Sequence, residues 1–115
     1  MSVRAYLVVN EDIKVIDGKK YVHEEEEYLW SNWSESGADI WNILFDKMID
    51  YTNEDCCGFI EINEDAWEDL KEDYATRNSK YGKKVYKVVN ENKEVFMKMD
   101  SRFKSGVDYI KINLY

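Results

Sequence analysis

The chain has 115 residues, 44% apolar and 15% aromatic, with 16 basic and 24 acidic side chains and a formal charge of −8. That length fits one domain and leaves no room for a second core, while the apolar share argues against wholesale disorder. No apolar run approaches the ~18 residues of a membrane span, and the N-terminus lacks a basic-then-apolar leader, so a soluble cytoplasmic domain is expected.

Val3 to Val9 is β-branched and aromatic, which predicts a strand that Asn10-Glu11-Asp12 should break. Asp17-Gly18 is a two-residue turn signature, and a hairpin from Asp12 to about Val22 is expected around it. Glu24 to Glu27 is a like-charge run followed by Tyr28, Leu29, Trp30 and Trp33, and reads as a loop or a short helix. Ser36-Gly37-Ala38-Asp39 has the form of a capping box. A first helix should start there, with Ile40, Trp41, Leu44, Phe45, Met48 and Ile49 as its core stripe and a turn at Thr52–Asp55 as its end. Cys57 to Ile62 then reads as a central strand.

Asn63 is suited to cap a second helix over about residues 64–75, with Ala66, Trp67, Leu70 and Tyr74 on its buried face. A polar loop is expected at Asn78–Gly82, followed by a hairpin of Lys84–Val89 and Glu94–Met99 and a last strand at Val107–Leu114. The predicted class is α+β: an antiparallel or mixed sheet of five to six strands with two helices packed on one face.

Charge is distributed unevenly along the chain. Residues 1–75 carry 6 basic against 20 acidic side chains, and residues 76–115 carry 10 against 4. The densest acidic feature is the second helix, where Glu64, Glu68 and Glu72 form one i, i+4 row and Asp65, Asp69 and Asp73 the next. The four like-charge pairs within these rows cost about 1–2 kcal/mol in all before screening. Such a ladder can stand in for phosphates on a basic groove, can be a solvated face, or can dock on the chain's own basic last third. Asp46, Asp50, Glu54, Asp55 and Glu61 would extend it if their elements lie alongside.

Other features yield less. Adjacent Cys56 and Cys57 lack zinc or thioredoxin spacing and read as two buried thiols at a strand start. His23, the only histidine, lies beside four glutamates, a poor setting for a general base. No nucleophile-elbow, zinc-protease, P-loop, dinucleotide or EF-hand pattern occurs, so no catalytic residue, metal site or cofactor is assigned. Trp30 and Trp33 are candidate interface anchors and equally candidate core. Lys80, Lys83, Lys84 and Lys87 with Tyr81 and Tyr86 read as an edge strand kept soluble by lysines.

Small, acidic, proline-free and without enzyme motifs, the chain resembles phage- and mobile-element-encoded inhibitors, including anti-restriction and anti-CRISPR proteins. The resemblance rests on size and charge, and implies a non-enzymatic protein that binds a basic protein target, neither nucleic acid nor membrane directly. The expected partner surface is Glu64, Asp65, Glu68, Asp69, Glu72 and Asp73, with Trp30 and Trp33. An immunity protein neutralising a toxin is the alternative within binding proteins, and a small metal-dependent hydrolase or nuclease is the alternative among enzymes.

Overall fold

The N-terminal third is organised by its turn. In the computed structural model, which describes residues 4–31, 35–45, 47, 50–54, 57–77 and 79–115, Asp17 and Gly18 have positive φ of 52° and 76°. They join β1 (Arg4–Ile16) to β2 (Lys19–Ser31) in an antiparallel hairpin. The break expected at Asn10–Asp12 is a bulge: Val8 pairs with Glu26 and Asn10 with Glu25, so Val9 is the extra residue and the strand continues. The run Glu24–Glu27, expected as loop or short helix, lies within β2. Strand alternation sends Glu24 and Glu26 to one face and Glu25 and Glu27 to the other, which relieves the crowding a helix would impose.

The first helix, α1 (Glu35–Phe45), begins one residue before Ser36, so Ser36 lies inside its first turn and not at the cap position. Ile40, Ile43 and Leu44 are fully buried. Of the turn expected at Thr52–Asp55, residues 52–54 are instead strand: β3 (Asp50–Glu54) pairs with β4 (Cys57–Asn63). Met48, Ile49 and Cys56 lie outside the described residues. The second helix, α2 (Glu64–Thr76), starts where expected, with the Asn63 side chain accepting a hydrogen bond from the Ala66 N–H at 2.8 Å.

The main correction follows α2. The expected loop and strand pair are two helices, α3 (Lys80–Glu91) and α4 (Lys93–Lys104), which makes four helices among the described residues where two were predicted. Ser79 caps α3 by accepting from the Gly82 N–H at 2.9 Å. Val85 and Val88 on α3, and Phe96 and Met99 on α4, are buried at three-residue intervals with Phe103 partly buried one turn on, a helical stripe. The valines raise strand propensity, but propensity yields to burial of a continuous apolar face. Asn92 turns the corner between the helices, donating its backbone N–H to the Val89 carbonyl and its Nδ2 to the Val88 carbonyl.

The last strand, β5 (Tyr109–Leu114), sits between β1 and β4 in an antiparallel five-stranded sheet of order β2-β1-β5-β4-β3, and the class is α+β. Ala5, Leu7, Leu29, Trp30, Ile60, Ile62, Ile110, Ile112 and Leu114 supply the sheet's share of one core cluster, and the helices supply the rest. α2 and α3 approach closely through Gly82. A Cβ there would stand 3.0 Å from the Asp73 carbonyl oxygen and 3.2 Å from the Arg77 Cα, both backbone atoms that cannot move aside cheaply.

Candidate partner-binding surface

The acidic ladder begins as a consequence of where α2 buries its apolar side. Trp67 and Leu70 are buried and Ala66 and Tyr74 partly so. At about 100° per residue the six carboxylates then occupy a continuous arc of about half the helix circumference on the other side. Glu64, Asp65, Glu68, Asp69 and Glu72 are exposed and Asp73 is half-buried at the rim.

The ladder is partly compensated, and not in the expected way. Lys47, from the segment after α1, bridges the aspartate row, with Nζ 2.6 Å from Asp69 and 3.2 Å from Asp73. Burial works against its charge, but hydrogen bonds and attraction from the two aspartates outweigh burial and raise its pKa above the ordinary value. Lys71 lies 3.2 Å from Glu68 and 3.6 Å from Asp100, and its pKa is raised chiefly by the Glu68 hydrogen bond. Glu64, Asp65, Glu68 and Glu72 are thus the exposed part of the arc that Lys47 does not hold. Glu61 does not extend it: on β4 it sits opposite Lys111, on the strand face that alternates with buried Ile60 and Ile62. Asp46 and Asp55 lie outside the described residues.

Beside Lys71 the arc borders an apolar groove between α2 and the α3–α4 pair, a cavity of about 430 Å³ lined by Trp67, Leu70, Tyr74, Val89, Phe96 and Met97. Trp67 stacks with Phe96 and Phe103 at centroid distances of 6.2 and 5.4 Å, and its Nε1 donates to Asp100 at 2.9 Å. Burial pushes the Asp100 carboxyl up, but the Trp67 N–H and the charges of Lys104 and Lys71 prevail and hold it below the ordinary carboxylate value. Met97 is 68% exposed at the groove's edge. Sequence reasoning missed this groove because it depends on α3 and α4 being helices. The signal was present in the three- and four-residue spacing of Phe96, Met99 and Phe103.

The other acidic stretch has a different fate. Glu24 accepts from Lys111 Nζ at 3.0 Å and Asn113 Nδ2 at 3.2 Å, Glu26 accepts from the Tyr115 hydroxyl at 2.8 Å, and Glu27 lies 3.4 Å from Lys98. Among the described residues the last third of the chain thus sends Lys98 and Lys111 to the glutamates of the hairpin and no lysine to the carboxylates of α2.

Trp30 does not belong to the surface. It is 5% exposed and part of the core cluster, so the anchor role gives way to packing, while Trp33 lies outside the described residues. The lysines expected on an edge strand are on α3, where Tyr86 stacks with Tyr74 at 5.1 Å under the Arg77 guanidinium. His23 is exposed on the hairpin opposite Asp12. Among the described residues no group of three or more His, Cys, Asp or Glu side chains converges as a metal site, and no helix is long and apolar enough to cross a membrane.

Comparison with protein-family models, curated proteins and solved structures found no match.

Proposed function

We propose that this chain is a non-enzymatic acidic binding protein that lays the outer arc of α2 on a basic, nucleic-acid-binding surface of a target protein, as anti-restriction and anti-CRISPR inhibitors do. The observation that carries this reading is the continuity of the arc: six carboxylates on one helix, with the glutamate row turned outward and a capped N-terminus fixing its start. Six charges across nine rises of 1.5 Å give about one per 2–3 Å of axis, against about one per 1.7 Å in duplex DNA. Lys47 and Lys71 offset part of this, and the groove beside Lys71, with Met97 at its edge, adds an apolar anchor next to the charges.

Binding of this kind rests on attraction between opposite charges, so it weakens steeply with salt. The test is capture of partners from a host lysate by immobilised protein, compared with a variant carrying Glu64→Lys, Glu68→Lys and Glu72→Lys. These three residues avoid the Lys47 bridge, and circular dichroism of the variant checks that its fold is retained. Capture of a nuclease or nucleic-acid-guided effector, lost in the variant and competed by duplex DNA, supports the reading. Capture that survives the triple reversal overturns it, and capture of a toxin encoded beside this gene replaces it with the immunity reading.

A further inference from the structure

The β1–β2 hairpin extends far beyond the sheet that supports it. β5 pairs with β1 only from Ala5 to Leu7, and every residue from Asn10 to His23 is exposed. The molecule measures 55 × 34 × 21 Å with a radius of gyration of 15.1 Å, whereas a compact chain of 100 residues has about 13 Å. A two-stranded ribbon standing alone in water is marginally stable, and this one also exposes Ile13, Val15, Ile16, Tyr21 and Val22, each about half or more. β2 is the edge strand of the sheet, so its outer backbone groups from Lys19 onward have no neighbouring strand among the described residues. A long edge with exposed apolar side chains is a template for strand addition.

The order of charges along that edge identifies the occupant. β2 reads Lys19-Lys20-Tyr21-Val22-His23-Glu24-Glu25, basic near the turn and acidic near the sheet, with Val22 at the midpoint. A copy of the same segment laid antiparallel about Val22 is complementary to it, because a two-fold axis brings each lysine to the other copy's glutamates. We propose that the chain forms a two-fold dimer in which the outer edges of two β2 strands pair antiparallel about Val22, joining two five-stranded sheets into one.

In this register Lys19 stands opposite Glu25 of the second copy, Tyr21 opposite its His23 and Lys20 opposite its Glu24, and each pair occurs twice. Glu24 is already held by Lys111 and Asn113 of its own chain, so the Lys19–Glu25 pair carries the charge complementarity. Directly paired residues share a sheet face. Ile13 lies beside Val22 within each hairpin, so the two copies form a four-residue apolar row of Ile13, Val22, Val22 and Ile13 across the joined sheet. On the adjoining row of that face, Val15 and Lys20 of one copy meet Glu24 and Glu11 of the other. The bulge that makes Leu29 the extra residue of β2 lies outside the paired segment, and so does the Tyr28 carbonyl that Lys98 approaches at 3.4 Å. This surface is separate from α2, and the proposal does not rest on the partner reading above.

The experiment is sedimentation equilibrium of the whole chain from about 1 to 500 μM, with circular dichroism to verify folding. The expected result is a concentration-dependent monomer–dimer equilibrium. Lys19→Glu alone and Glu25→Lys alone should each weaken the dimer about tenfold or more, because the two-fold axis counts each repulsion twice. The double variant carrying both should recover dimerisation to near the original value. Val22→Lys, at an exposed position, should leave a folded monomer. A chain that stays monomeric at 500 μM, a dimer indifferent to either single reversal, or a double variant that fails to recover would overturn the proposal.

Discussion

Two acidic stretches of this chain look alike as sequence and differ in use. Glu24–Glu27 is a run of four on a strand, and three of its members are held by Lys111, Asn113, Tyr115 and Lys98. The α2 ladder is six on a helix, where Lys47 clamps Asp69 and Asp73 and Lys71 pairs with Glu68 along the helix surface. The geometry of each element produces the difference. A strand divides consecutive residues between two faces, each within reach of other parts of the fold, whereas a helix gathers i, i+4 residues on one side, opposite its buried face. Charge density along a sequence is thus no measure of charge available to a partner.

The largest effect should come from disturbing what presents the ladder. Gly82→Ala places a methyl group against the backbone of Asp73 and Arg77, and should cost about 1–3 kcal/mol in urea denaturation, as overpacking of a close contact does. A loss under about 0.5 kcal/mol would mean that α2 and α3 separate easily and that the arc is not rigidly presented.

A direct comparison of the two acidic stretches comes next. Glu24→Ala leaves Lys111 and Asn113 without their shared acceptor in a partly buried site, with an expected loss of about 1–2 kcal/mol. Glu72→Gln, on the exposed arc, removes a like-charge repulsion with Glu68 and should stabilise by a few tenths of a kcal/mol. Equal losses from the two variants would erase the distinction between a structural and an available carboxylate.

The smallest effect is a pH dependence at the groove. The Asp100 pKa lies below its ordinary 3.8, so its contribution to stability is present above that value and is lost as the pH falls through the folded-state pKa. Asp100→Asn should therefore flatten the acid limb of a stability–pH profile below about pH 4. An unchanged limb would show that the Trp67, Lys71 and Lys104 contacts do not act on this carboxyl in solution.

Several elements were legible because one local signal sufficed. Asp17-Gly18 specified a turn through its tolerance of positive φ, and Asn63 with the spacing of Trp67, Leu70 and Tyr74 specified α2 and its buried side. α3 and α4 were not legible to strand propensity: Val85, Val88, Val89 and Val95 suit a pleated surface, and Asn90-Glu91-Asn92-Lys93 suits a hairpin turn as well as a helix corner. Their helical state follows from burying Val85, Val88, Phe96 and Met99 together in one core cluster with residues as distant in sequence as Ala5, Leu7 and Trp30. The ladder itself was readable residue by residue, and core was one of the two readings for Trp30, but the Lys47 clamp and the groove beside Lys71 were not legible.

By itself the sequence determined the charge imbalance, the N-terminal turn, the start of α2 and the arc on which its carboxylates fall, because each depends on residues within a few positions of one another. Tertiary structure decided which of those charges remain outward, since Lys47, Lys98 and Lys111 reach their partners from 22 to 87 residues away. It also decided that the hairpin projects beyond the sheet, because β5 leaves β1 after Leu7 and continues beside β4 alone. Local chemistry fixes the direction of a side chain relative to its own element, and only packing between elements fixes what that side chain meets.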